Sequence, residues 1–275
     1  MIFKFKLFSK TLLLFALTQA LGFFLAFKIL PEMGTVLAGS ATGLNVWDFV
    51  YLIAIGVIFF VLASKYPRFG SVVYRIVLSL IIYSIIQAVI SIWFSPLTAT
   101  IAALVILIWF WVWRNVLFQD ALMVLVIAGL GAILGLTLTP VTAIWVLVAF
   151  SVYDLVAVYV TGHMVKLAEI MVSARAIFGF VIPQSTTDFR ANMKNVQPGE
   201  GFMILGSGDV LLPMLFSVSL IPISLSQAII VATFSCLGLF ATHLIFTNQK
   251  VRRPMAALPP IALLTIIGYV LSKFL

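Results

Sequence analysis

The chain has 275 residues, of which 64% are hydrophobic and only 9% charged, and its mean hydropathy is +1.25. This excludes a soluble globular protein and leaves a polytopic membrane bundle, because apolar runs of about 20 residues recur along the whole length. The formal charge of +8 does not point to nucleic acid, since the basic residues fall in short connections, and the lone Cys236 rules out a disulfide framework or a thiol-based metal site within one chain.

Taken in chain order, apolar runs bounded by charge, Pro or Gly predict nine membrane helices, at 11–30, 48–64, 72–94, 97–113, 121–139, 141–161, 201–221, 227–247 and 257–274. The expected fold class is an all-α polytopic membrane protein, a single membrane domain over 1–275. Helices one to six fill 1–161, a loop covers 162–200, and helices seven to nine fill 201–275. Within the stretch 164–182, Lys166, Glu169 and Ser173 recur on one face at helical spacing, which predicts an amphipathic helix at the interface rather than a tenth span. The polar segment 186–201 reads as a flexible linker.

The basic residues orient this map. With a cytoplasmic N-terminus, fourteen of the sixteen Lys and Arg residues fall on the cytoplasmic side and only Lys28 and Lys273 on the other. Cytoplasmic loops carry such an excess, so the C-terminus is expected on the opposite side.

Of the eight acidic residues, Asp154 and Asp209 are read as the two inside long apolar runs, seven to eight residues from the cytoplasmic ends of consecutive spans. At 1.5 Å per residue both lie roughly 10–12 Å below that surface and can face each other. A carboxylate at membrane depth is costly and marks a functional site by default. Two at contact distance share one proton near neutral pH, which is what an aspartic protease needs: one carboxylate takes a proton from water, the other carboxyl protonates the substrate carbonyl. Depth alone leaves other readings open, including helix–helix hydrogen bonding, a station on the proton or sodium path of a secondary transporter, and an incidental pair in a scaffold or leak.

The neighbourhood of each acid adds detail. Asp209 closes Gly206-Ser207-Gly208-Asp209, where the two glycines let another backbone approach the carboxylate, and Pro213 cannot bond the Asp209 carbonyl, so the helix is expected to bend there. Tyr153 can cover the site or donate a hydrogen bond. At the start of the ninth span, Pro254-Met255-Ala256-Ala257-Leu258-Pro259-Pro260 is expected to be non-helical over 254–258, able to pair with an extended substrate strand or simply to open a helix. His163 and His243 lack ligand-spaced partners and read as packing residues; Ser207 lacks a neighbouring base.

These pieces, in this order, resemble the presenilin and signal-peptide-peptidase family of intramembrane aspartyl proteases of the GxGD type. Tyr153-Asp154 is similar to the family's YD motif and Gly206-Ser207-Gly208-Asp209 to GxGD. The charge-derived topology is presenilin-like, whereas Val210-Leu211-Leu212-Pro213 looks more like the peptidase branch, as in a microbial relative of a prokaryotic plasma membrane. One departure stands out: the family's Pro-Ala-Leu appears as Ala256-Ala257-Leu258, followed by Pro259. The resemblance implies catalytic Asp154 and Asp209, with Tyr153, Gly206, Gly208, Ala256, Ala257, Leu258 and Pro259 at the substrate. It further implies transmembrane helical peptides as substrates, the lipid bilayer as surroundings, and no cofactor or metal. Accessory subunits and loop cleavage, as in presenilins, are not legible here, and independent activity is the expectation.

Overall fold

The structure, a computed structural model, describes residues 5–37, 67–196, 201–249 and 255–274. The expected span at 48–64 lies outside these residues. Among them, helices α1 (Phe5–Leu37), α2 (Pro67–Ser91), α3 (Pro96–Val112), α4 (Val116–Thr137) and α5 (Pro140–Leu155) account for five predicted spans, and a π-helical turn, Val156–Val160, prolongs α5. After the short α6 (His163–Ser173) come strands β1 (Gly179–Pro183) and β2 (Phe202–Gly206), then α7 (Ser207–Ser219), α8 (Leu225–Thr247) and α9 (Leu258–Ser272). Among the described residues five stretches are long and apolar enough to cross a membrane: Lys6–Pro31, Gly70–Ser91, Val116–Thr137, Pro140–Val160 and Leu225–Thr247. Helices α3, α7 and α9 are apolar but shorter.

The helices start where the chain supplies a cap. Ser95, Asn115, Thr139 and Ser224 each accept a hydrogen bond from a first-turn amide of α3, α4, α5 and α8, satisfying donors that would otherwise be orphaned in lipid. At the centre, Gly131 and Gly135 of α4 face Met214 and Val218 of α7, and a Cβ at either glycine would collide with those side chains. Small residues at such crossings let membrane helices approach closely. A polar bridge ties three helices together: Gln19 of α1 donates to Ser235 of α8, and Ser217 of α7 donates to Gln19, each at 3.4 Å.

The hairpin corrects the all-α expectation. β1 and β2 pair antiparallel with Gly179 opposite Gly206 and Pro183 opposite Phe202. The amphipathic helix is present with Glu169 and Ser173 exposed, but it ends at Ser173 instead of running to 182. Residues 186–201 are not a flexible linker where described: they form 3-10 turns at Thr187–Arg190 and Met193–Asn195, and Met193 and Val196 are buried with Val116, Ile177 and Val181. The backbone here docks on the start of α4, Val116 N–H donating to Ala191 and Met193 N–H to Arg114. The predicted seventh span is likewise split, its first residues forming β2 and its helix starting at Ser207.

Basic side chains fasten the membrane helices to this segment. Lys10 Nζ donates to the carbonyls of Pro183 and Gln184, Arg75 Nε to Ala174, and Arg114 Nη2 to Arg175. The N-terminal parts of α1 and α2 and the α3–α4 turn therefore share one face of the bundle with the hairpin.

Candidate active site

Asp154 sits on the last turn of α5, directly before the π-helical turn, and is 7% exposed. Such π turns arise where one extra residue is accommodated, frequently at functional sites. Its partner is the start of α9. Leu258 is the first helical residue there and Pro259 and Pro260 follow, so of the first three helical positions only Leu258 has an amide hydrogen to offer. That N–H donates to Asp154 Oδ2 at 3.3 Å. Thr242 of α8 donates to the Ala257 carbonyl at 3.3 Å and anchors the segment from the other side.

The expectation for 254–258 therefore needs correction. Residues 255–257 are non-helical, but Ala257 already has αR dihedrals (φ −89°, ψ −30°) and Leu258 is helical. Prolines at the second and third helical positions cost no hydrogen bond and favour opening a helix. Position 254 lies outside the described residues.

Asp209 arrives by the hairpin. Gly206 ends β2 and is the N-cap of α7, Ser207 and Gly208 open the helix, and Asp209 occupies its third position. Its carboxylate lies within electrostatic reach of the Gly206 N–H, in the position of the acid half of a capping box. A Cβ at Gly206 would lie 3.1 Å from Asp209 Oδ2, whereas one at Gly208 would meet nothing within 4 Å among the described residues. Gly206 thus keeps the carboxylate clear and Gly208 faces open space. Asp209 lies in the first turn of its helix, not seven to eight residues inside one. Helix α7 runs on through Pro213, one turn beyond.

The two acids lie within electrostatic reach of each other. Tyr153 is half-buried beside Asp154 and interacts electrostatically with it and with Tyr74 of α2. The structure thus brings together Asp154, Asp209, Gly206 and Leu258, with Ala257 and Pro259 on the same segment and Ala256 buried just before it.

A third acid was missed. Asp120, on the second turn of α4, is 1% exposed and accepts the Val181 N–H of β1 on Oδ1 at 2.8 Å; among the described residues its Oδ2 has no hydrogen-bond partner. The span starting at 121 had placed it in a loop, but Asn115 caps the helix earlier. The apolar Val116-Leu117-Phe118 ahead of it was the available signal. Next to it, Gln119 Nε2 donates to the Ile177 carbonyl at 2.9 Å. Gly179 was also missed. Its φ is +153°, and a Cβ there would strike the Leu205 carbonyl, so glycine is required where β1 meets β2 beside the Asp209 cap. His243 is buried against the Phe8 ring, and among the described residues no group of three His, Cys, Asp or Glu is placed to hold a metal ion.

Three comparisons bear on this arrangement. The family described as signal-peptide peptidase, presenilin aspartyl protease matches residues 13–275. Two crystal forms of a presenilin family intramembrane aspartate protease share the fold: the C222 form with a TM-score of 0.62 over 94% of each chain, the P2 form with 0.64 over 96% of each chain, both at 21% identity. No curated protein sequence matches the chain.

Proposed function

The chain belongs to the signal-peptide peptidase and presenilin family of aspartyl proteases, and from that premise we propose that Asp154 and Asp209 are its catalytic pair, of the GxGD type. It is an integral membrane protein and an intramembrane aspartyl protease, which removes the ion-coupled transporter alternative. The observation that carries the assignment of residues is convergence: the end of α5, the start of α7 and the start of α9, far apart in sequence, place two carboxyls in mutual reach with one of them bonded to the Leu258 amide.

The pair holds one proton between its two carboxyls. The ionised carboxylate removes a proton from a water molecule as the water oxygen attacks the scissile carbonyl carbon, and the neutral carboxyl gives its proton to the carbonyl oxygen. Collapse of the resulting gem-diol breaks the C–N bond, with a proton passing to the leaving nitrogen. Fixing Asp154 through Leu258 and Asp209 through Gly206 keeps both groups in place throughout, so little reorganisation is needed.

Substrate engagement follows from the hairpin. Among the described residues β1 is the only sheet neighbour of β2, so the other edge of β2, leading directly to Asp209, is available to an extended segment of a transmembrane peptide. The open space at Gly208 admits that backbone, and Tyr153 closes the site from α5. The Ala257 carbonyl and Leu258 amide are already engaged, so the Ala256–Pro259 segment acts mainly by orienting Asp154. The finer topology we assign is nine spans with a cytoplasmic N-terminus in a prokaryotic plasma membrane, acting without accessory subunits.

Cleavage of a transmembrane peptide by the reconstituted protein, followed by mass spectrometry of the products, tests the pair. Asp154→Asn and Asp209→Asn are each expected to lower turnover by at least about 10³-fold with helical content retained. Turnover persisting in either variant rules the pair out.

A further inference from the structure

Away from the catalytic pair, α2 and α3 enclose an open groove of about 470 Å³ whose walls include Arg75, Ile76, Leu80, Tyr83, Leu104 and Trp111. Ile76, Leu80 and Leu104 are exposed apolar side chains on membrane helices, so the groove opens towards lipid. Its volume falls within the ordinary range for small-molecule sites. Trp111 is fixed across it by donating its indole N–H to Ser79 Oγ at 2.9 Å.

One end of the groove is strongly cationic. Arg75 lines it, and the Arg114 guanidinium lies 4.0 Å above the Trp111 ring, within electrostatic reach of both Arg75 and Arg175. Arg75 and Arg114 bond to the carbonyls of Ala174 and Arg175 just beyond α6, but carbonyls do not neutralise charge. Among the described residues no carboxylate pairs with any of the three. Burial and the two neighbouring cations hold Arg114 down to about 10, still protonated at neutral pH. Three like charges therefore converge where a helix end, a tryptophan and an apolar channel meet, the arrangement that calls for an anionic group carrying a hydrocarbon tail.

We propose that this groove binds an anionic phospholipid, its phosphate at Arg75, Arg114 and Arg175 and one acyl chain lying between α2 and α3 towards Tyr83. The site stands apart from the proteolytic reading, and its charge lies on the face of the bundle that carries the hairpin and the basic loops. Anionic lipids concentrate on the cytoplasmic leaflet and attract basic residues there. A free phosphate would satisfy the arginines and leave the apolar walls uncovered; a zwitterionic lipid would fill the walls but place its own cation against three others.

Native mass spectrometry of the full-length protein in detergent, with dioleoylphosphatidylglycerol or dioleoylphosphatidylcholine added, tests the assignment. Phosphatidylglycerol is expected to be retained several-fold more than phosphatidylcholine. Arg175→Gln, which removes a charge whose side chain bonds to no other element among the described residues, should weaken phosphatidylglycerol retention roughly fivefold. Leu104→Trp, which fills the channel, should reduce retention of both lipids with far-UV circular dichroism unchanged. Equal retention of the two lipids by the parent protein overturns the proposal, as does undiminished phosphatidylglycerol binding in both variants. Complete displacement by millimolar inorganic phosphate would assign a free-anion site and likewise overturn it. Should either variant fail to fold, the comparison of the two lipids on the parent protein decides.

Discussion

The backbone amide of Leu258 donates to Oδ2 of Asp154 at 3.3 Å, joining residues 104 positions apart. The bond explains why a segment containing two consecutive prolines sits against the acid. Pro259 and Pro260 leave Leu258 as the one donor on the first three positions of α9, and the positive end of the helix dipole points the same way.

Replacing the Leu258 amide by an ester, through incorporation of the α-hydroxy analogue of leucine, removes that N–H without touching a side chain, and Thr242→Val controls for the weaker Ala257 carbonyl that Thr242 donates to. A hydrogen bond to a charged group contributes about 1.5–3 kcal/mol, so kcat should fall roughly 10- to 100-fold. Single-turnover cleavage rates check this; an unchanged rate would show that Asp154 is positioned by α5 alone.

The two motif glycines should behave differently. Gly206→Ala introduces a Cβ 3.1 Å from Asp209 Oδ2 and is expected to displace the carboxylate, lowering kcat. Gly208→Ala meets nothing among the described residues, so thermal stability should stay at the parent value while KM rises if substrate backbone passes there. Steady-state kinetics on both variants, with melting curves, separate the effects. Loss of stability in Gly208→Ala would contradict the open space.

Asp120 holds β1 and hence the register that delivers Gly206 to the head of α7. Asp120→Asn keeps an acceptor for the Val181 amide and should retain most stability and activity. Asp120→Leu leaves that buried amide unpaired, costing about 1–3 kcal/mol, with cleavage falling alongside. Hydrogen exchange at Val181 provides the readout, since only the leucine variant should exchange faster.

A pair sharing one proton gives a bell-shaped rate profile. At low pH both carboxyls are protonated and no base is left to activate water; at high pH both are ionised and no acid remains for the carbonyl oxygen. Turnover measured from pH 4 to 9 in one lipid composition should rise and then fall. A steady increase across that range would exclude proton sharing.

The sequence by itself determined the membrane class and the places of most of the described spans, and it singled out Asp154 and Asp209 as the acids to ask about. Each of these is set locally: lipid demands about 20 apolar residues per crossing, and an intramembrane carboxylate stands out against any apolar run. Only the tertiary structure decided the rest. The apolar stretches at 179–183 and 202–206 look the same whether they enter a helix or a strand, and their pairing across some twenty intervening residues is a non-local choice made by docking on α4. Asp120 seemed peripheral because its burial comes from the hairpin folding over it, and Gly179 seemed unremarkable because its constraint is the carbonyl of Leu205 on the opposing strand. The Leu258 amide acquired its role in the same way: proline chemistry leaves a single donor at the head of α9, but packing of α9 against α5 and α8 decides that the donor meets Asp154.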